Sequence, residues 1–261
     1  MSYLGQNFLK DKNILKKIAE TVEINDNDFI FEIGAGHGEL TEQLINFSKT
    51  KKIKILAVEK DKNLFKKLKN KFKNKNLRLI NKDVLKIIPK IINFLPINKE
   101  VNFKIVGNIP YYITGKILRQ ISELEKKPKL CVFTLQKEVG QRIISLSPKL
   151  NKLSAITHFW SEPQIILNIS KKYFYPQPKV DSVLVKLKTK NNAYEISPKN
   201  YYKMVNILFK QPRKTILNNL LLTYKDKNKI ISILKELNID PRLRPQNLFL
   251  NQIVEIAKKI I

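Results

Sequence analysis

A chain of 261 residues with 43% hydrophobic content is long enough to bury one large core or two, and its composition excludes a disordered or fibrous protein. No apolar run approaches the ~18 residues of a membrane span, and a lone cysteine (Cys131) with two histidines offers neither an internal disulfide nor a zinc cluster. The net charge of +28, carried by 44 lysines and six arginines against 22 acids, points to a polyanionic partner. The opening residues lack the basic-then-apolar layout of a secretory signal, so the expectation is a cytoplasmic, metal-free monomer with no membrane partner.

Along the chain, short apolar or β-branched runs alternate with helical periodicities over roughly the first 190 residues. Strands are predicted at Asp28–Gly34, Lys54–Glu59, Leu77–Asn81, Phe103–Gly107, Leu130–Gln136, Gln164–Ser170 and Ser182–Lys188. Helices are predicted at Ile14–Thr21, Leu40–Phe47, Asn63–Phe72, Lys116–Ser122 and Ser154–Trp160. This alternation implies an α/β fold, an open doubly wound sheet covered on both faces. The last two strands are separated by a segment holding Pro176 and Pro178 and read as an antiparallel hairpin at the sheet edge. Beyond them the pattern is helical only: Pro198–Phe209, Lys214–Leu222, Lys227–Leu237 and Asn251–Ile260. Two domains are expected, residues 1–192 and 193–261. The lysine-dense stretch Lys60–Lys75 carries Leu64, Phe65, Leu68 and Phe72 at helical spacing and reads as the solvated face of an amphipathic helix.

The first motif with chemical content is Glu32-Ile33-Gly34-Ala35-Gly36-His37-Gly38, between a strand and a helix. Such a turn brings backbone close to a ligand. Its G-x-G-x-G spacing differs from the G-x-G-x-x-G of dinucleotide sites, and a carboxylate at Glu32 suits a cationic methionine-like group rather than a pyrophosphate. Glu59 ends the next strand, where its two oxygens match a ribose diol. Asp83 follows the strand after that and is placed to accept from an adenine amino group. Each acid alone reads as an exposed loop residue; three at successive strand ends read as a nucleoside-bearing donor pocket.

The second motif, Asn108-Ile109-Pro110-Tyr111, ends the fourth strand and faces the same crevice. The Asn108 side-chain oxygen and the Ile109 carbonyl offer two acceptors for the hydrogens of an exocyclic amine. Pro110 fixes its own φ and biases Ile109 toward extended geometry, and Tyr111 offers a face on which an extracted base stacks. Phe174, before Tyr175-Pro176-Gln177-Pro178, is a candidate for the other face of that base, or else a core residue.

These motifs resemble those of the ribosomal RNA adenine N6-dimethyltransferases, and within them the small-subunit branch. The resemblance rests on Leu4–Leu9, Glu32–Gly38, Glu59, Asp83, Asn108–Tyr111, Phe174–Asp181 and Phe209–Thr215, seven segments in order across nearly the whole chain. It implies a class I methyltransferase domain with a small helical C-terminal domain and S-adenosylmethionine as methyl donor. It places Gln6, Asn7 and Leu9 beside Glu32, Gly34, Gly36, Glu59, Asp83 and Asn108 in the donor site. The implied reaction puts two methyls on N6 of each of two adjacent adenines near the 3′ end of 16S rRNA, within a partly assembled 30S subunit, with Arg213 and Lys214 as RNA contacts. Ile109 and Pro212 depart from residues frequent in that branch. The competing readings are the large-subunit dimethylases of macrolide resistance, a non-catalytic assembly or transcription factor on the same fold, and a DNA adenine methylase.

Overall fold

The structure is a computed structural model that describes residues 7–96, 101–190 and 194–261, the side chain of Tyr111 excepted. Its elements run β1 (Phe8–Leu9), α1 (Lys12–Thr21), β2 (Phe29–Ile33), α2 (Glu39–Phe47), β3 (Lys54–Glu59), α3 (Lys62–Lys71), β4 (Leu77–Asn81), α4 (Val84–Ile87), β5 (Phe103–Asn108), α5 (Thr114–Glu123), β6 (Leu130–Gln136) and α6 (Lys137–Ile144). They continue with α7 (Lys152–Trp160), β7 (Ser161–Ile169), β8 (Phe174–Tyr175), β9 (Ser182–Thr189), α8 (Pro198–Leu208), α9 (Ile216–Leu221), α10 (Lys227–Glu236) and α11 (Leu250–Ile260).

Seven strands form one sheet in the order β4-β3-β2-β5-β6-β9-β7. β2 runs parallel to both β3 and β5, β3 to β4, and β5 to β6, whereas β9 is antiparallel to β6. Every residue of β2 is buried, as a central strand covered on both faces requires. The last two long strands lie side by side at the edge as expected, with β9 inserted between β6 and β7. Side chains fix where helices begin: Asp61 accepts from the N–H groups of Asn63 and Leu64 to cap α3, and Asp11 accepts from Ile14 to cap α1.

The strand order reverses between β2 and β5, each of which is the other's neighbour although α2, β3, α3, β4 and α4 separate them in sequence. A crevice opens outside the carboxyl ends of the strands at such a switch point. Gly34 leaves β2 there and Asn108 ends β5 there.

The chain divides into two compact units, Met1–Gly140 with Glu162–Thr189, and Gln141–Ser161 with Lys190–Ile261. The helical unit thus includes α7, which a single cut at residue 192 leaves with the sheet. The reason is packing: Phe159 of α7 stacks on Tyr201 of α8 with ring centroids 3.9 Å apart, and Ala155, Ile156 and Phe159 share one core with Met204, Leu220, Leu234 and Ile253. The Tyr201 hydroxyl closes that core by donating to the Ala155 carbonyl at 3.1 Å.

Candidate active site

The glycine loop after β2 holds Gly34, Gly36 and Gly38 at φ of +69°, +59° and +87°, conformations that an L side chain rarely adopts. Gly36 also needs to be small, since a Cβ there would stand 3.0 Å from the Phe8 ring. The loop is tied to the neighbouring strand at two points. The Gly34 N–H donates to the Val58 carbonyl at 2.9 Å, and the Gly36 N–H donates to Glu59 Oε2 at 2.8 Å.

Glu59 ends β3 with its carboxylate buried. Burial pushes its carboxyl up, opposed by the backbone N–H groups of Asp61, Gly36 and Lys60. The Asp61 N–H reaches Oε1 at 2.8 Å, so each oxygen already accepts one backbone bond and keeps a second lone pair for a ligand. Asp83 caps α4 through Oδ1, which accepts from Leu85 at 3.0 Å, while Oδ2 pairs with Lys60 Nζ at 3.0 Å. Partial burial raises the Asp83 carboxyl, and the Lys60 and Leu85 bonds outweigh it, leaving the group below the usual carboxylate range.

Asn108 is oriented by the N-terminal segment: its Nδ2 donates to the Asn7 carbonyl at 2.7 Å. The side-chain oxygen is then the end that accepts. The Ile109 N–H donates across to the Thr134 carbonyl at 3.2 Å, fixing the backbone beside it. Phe8 and Leu9, next in the chain, form β1 and pair antiparallel with Tyr175 and Phe174 of β8.

These residues surround a cavity of about 290 Å³. Asn7, Gly34, Gly36, Glu59, Asp83, Asn108, Ile109 and Pro110 all line it, so most of the expected site converges. Gln6 and the side chain of Tyr111 lie outside the described residues. Leu9 is 4% exposed and lies in the apolar cluster behind Phe8. Of the two readings offered for Phe174, a face for a base or a core residue, its surroundings favour the second: it is 4% exposed, packs in that same cluster and does not line the cavity. Phe8, Lys60, Lys82, Tyr112 and Lys116 also line the cavity, although the sequence reading assigned none of them to the site. For Lys60 the available signal was its place directly after Glu59 at the strand end. Among the described residues no group of three His, Cys, Asp or Glu is arranged to hold a metal ion, and no helix is long and apolar enough to cross a membrane.

Glu32 is set back from that cavity. Its carboxylate is buried, Thr41 Oγ1 donates to Oε2 at 2.7 Å, and the residue lines a smaller pocket with Leu9, Gly34, Gly36 and Asn108. Burial pushes it up to about 7 against the Thr41 bond, with Glu59 and Glu39 adding repulsion. The folded state therefore holds a proton that the unfolded chain, with the ordinary value of 4.5, has released. That contribution to stability is complete below about pH 4.5 and is lost as pH rises through 7, a change on the order of 3 kcal/mol. Glu32→Gln keeps an acceptor for Thr41 and removes the titration. Chemical denaturation from pH 5 to 8 is expected to show a falling stability in the parent that flattens in the variant, and equal slopes would remove Glu32 as the cause.

The ribosomal RNA adenine dimethylase family matches residues 2–260 of the chain. Ribosomal RNA small subunit methyltransferase A of Mycoplasma capricolum subsp. capricolum is 39% identical over 267 residues, covering 99% of this chain and 96% of that protein. The protein of the same name from Fusobacterium nucleatum subsp. nucleatum is 37% identical over 261 residues, covering 97% and 95%. Among solved structures, a dimethyladenosine transferase from Plasmodium falciparum superposes with a TM-score of 0.79 at 24% identity, covering 97% of this chain and 98% of that one. The 23S rRNA methyltransferase ErmE superposes with a TM-score of 0.71 at 22% identity, covering 97% and 99%. At such identities the structural likeness bears on the fold, which is that of a class I methyltransferase with a helical C-terminal region. Matched by the family over nearly its whole length, this chain belongs to the ribosomal RNA adenine dimethylases.

Proposed function

We propose that the protein transfers methyl groups from S-adenosylmethionine to N6 of two adjacent adenines near the 3′ end of 16S rRNA, acting as a cytoplasmic monomer on a partly assembled 30S subunit. The observation that carries this reading is Asn108, whose Nδ2 is anchored on the Asn7 carbonyl at 2.7 Å and which lines the same cavity as Gly34, Glu59 and Asp83. The names of the Mycoplasma capricolum and Fusobacterium nucleatum relatives favour the small subunit over the large one.

The cavity residues fit the donor. Glu59 keeps two acceptor positions for a ribose diol, Asp83 stands where an adenine amino group would donate, and the glycine loop lets backbone approach closely. Asn7 lines the site from the N-terminal side and Leu9 anchors that segment in the core, while a donor contact for Gln6 rests on the resemblance alone. Glu32 supports the loop from behind. When bound, S-adenosylmethionine supplies an electrophilic methyl group on a sulfonium. The Asn108 oxygen and the Ile109 carbonyl accept the two N6 hydrogens of the target adenine and favour a more tetrahedral nitrogen. Pro110 holds that carbonyl's direction, and Tyr111 stacks the base. Phe174 serves this arrangement indirectly, by pairing with Leu9 and so holding β1. Catalysis is positioning and electrostatics.

In this reading the sheet domain carries the chemistry and the helical domain adds RNA contacts. Arg213 and Lys214 are exposed in the loop between α8 and α9. Buried Asn219 pins that loop, accepting from the Gln211 N–H at 2.9 Å and donating to the carbonyls of Gln211 and Thr215, each at 3.0 Å. Replacing Arg213 and Lys214 with Ala is expected to weaken RNA binding and flatten its dependence on salt, by about two contacts' worth of slope. An unaltered slope in a salt titration would place the RNA elsewhere.

The direct test incubates the protein with labelled S-adenosylmethionine and unmethylated small subunits, large-subunit rRNA or plasmid DNA, and maps the products by mass. Dimethyladenosine at two adjacent small-subunit positions is the expected result. Label in large-subunit rRNA or DNA would move the chain to those activities, and bound donor without any label would make it a binding factor.

A further inference from the structure

Tyr112 is the cavity residue with the most exposed aromatic ring, at 61%, although it shares the lining with Asn108, Pro110 and Asp83. It sits in the 3-10 turn Tyr111–Ile113, closed by the Ile113 N–H donating to the Pro110 carbonyl at 3.1 Å, so its backbone is held at the cavity mouth. Three exposed lysines share that mouth. Lys60 is committed to Asp83, whereas Lys82 and Lys116 form no ion pair with a described acid. Beside them Gly115 faces open space, with nothing within 4 Å of a Cβ built there.

A ring left in water at the edge of a cavity that two uncommitted cations also line is a layout that receives a base and its flanking phosphates. The proposed reaction requires such a place. Its two target adenines are joined by one phosphodiester, and one pocket handles both. While one base is at Asn108, the other is tethered at the mouth with its stacking partner removed.

We propose that Tyr112 stacks the second of the two adjacent adenines while the first is in the pocket, with Lys82 and Lys116 holding the phosphates on either side. This rests on the function proposed above. It assigns to the mouth of the cavity the selection of an adenine pair over a single adenine.

The test compares the parent with Tyr112→Ala and Tyr112→Phe on unmethylated small subunits, scoring methyl groups at each adenine together with donor affinity. In Tyr112→Ala, KM for the subunit is expected to rise about tenfold, and product is expected to accumulate with only one of the two adenines methylated. Donor affinity is expected to stay within about twofold, since one lost stacking partner belongs to the acceptor side. Tyr112→Phe keeps the ring and is expected to restore both KM and the paired product. Lys82→Ala and Lys116→Ala are expected to make the KM less dependent on salt. A parent-like KM and product pattern in Tyr112→Ala would overturn the inference while leaving the proposed function standing. So would a loss of donor affinity with KM unchanged, which would assign Tyr112 to the donor, or a failure of Phe to rescue. If the parent methylates no adjacent pair, the proposed function falls and takes this inference with it.

Discussion

Asn108→Ala is expected to lower turnover by about 10²–10³-fold, the loss typical when one preorganised hydrogen-bonding group is removed from a reacting centre. The geometry explains why this residue has so much leverage. Asn108 ends β5 at the switch point of the sheet, and its two side-chain atoms have separate duties: Nδ2 donates to the Asn7 carbonyl at 2.7 Å, and Oδ1 is left to accept. Truncation removes both. The lost anchor on Asn7 is one neutral hydrogen bond, so donor affinity is expected to fall by no more than about tenfold, far less than turnover. Asn108→Asp separates the duties. It keeps an oxygen in the cavity but sets a carboxylate against the Asn7 carbonyl, so donor affinity is expected to fall further than in the Ala variant. Single-turnover rates with donor titrations decide the matter. Turnover within threefold of the parent in Asn108→Ala would remove this residue from the mechanism.

Residues of the site that were legible in the sequence share one property: each stands at the carboxyl end of a strand whose pattern is local. β3, β4 and β5 are apolar runs with clear ends, and Glu59, Asp83 and Asn108 sit at or just after such ends. The starts of α1 and α3 were read from apolar spacing one or two residues late, and the capping acids Asp11 and Asp61, which act within three residues, set where they begin. What was not legible depends on partners far away in sequence. β1 and β8 have two residues each, too few for any periodicity, and exist only because Phe8 finds Tyr175 and Leu9 finds Phe174. The core position of Phe174 follows from that pairing, as does the arrival of Asn7 and Phe8 at the cavity. α7 was recognised as a helix, but its apolar stripe does not say which core it joins; the Phe159–Tyr201 stack decides that. Glu32 shows a further limit. Alternate side chains of a strand point to opposite faces, and here Ile33 reaches the cavity while Glu32 turns to Thr41. A buried strand with apolar residues on both faces gives no contrast from which to read that direction. Lys60 was hidden by composition, one lysine at the head of a lysine-dense helix.

Gly107→Ala is expected to cost at least about 3 kcal/mol of stability, the upper range for forcing an extra methyl into a packed interior. Gly107 lies in β5 opposite Ile33 of β2, in parallel register. A Cβ there would come within 2.5 Å of the Ile33 carbonyl oxygen and 3.0 Å of its Cβ. Both are held in place, the oxygen by the backbone itself, so no flexible side chain can move aside. Relief requires β2 and β5 to separate where they deliver Gly34 and Asn108 to the cavity, and donor binding should fail along with stability. At roughly 2–4 °C per kcal/mol for a chain of this size, the melting temperature of the sheet unit should drop by about 6–12 °C. Gly115→Ala is the contrasting change. Gly115 is in the first turn of α5 with nothing within 4 Å of its added Cβ, and alanine is favoured over glycine in a helix by up to about 1 kcal/mol. Its melting temperature should rise by a few degrees or stay level. Thermal unfolding of both variants, followed with donor titration at 25 °C, compares the same chemical change in opposite surroundings. A Gly107→Ala protein that melts within about 2 °C of the parent would mean that β2 and β5 do not meet at Ile33 and Gly107 as closely as described, and the close approach that builds the site would have to be abandoned.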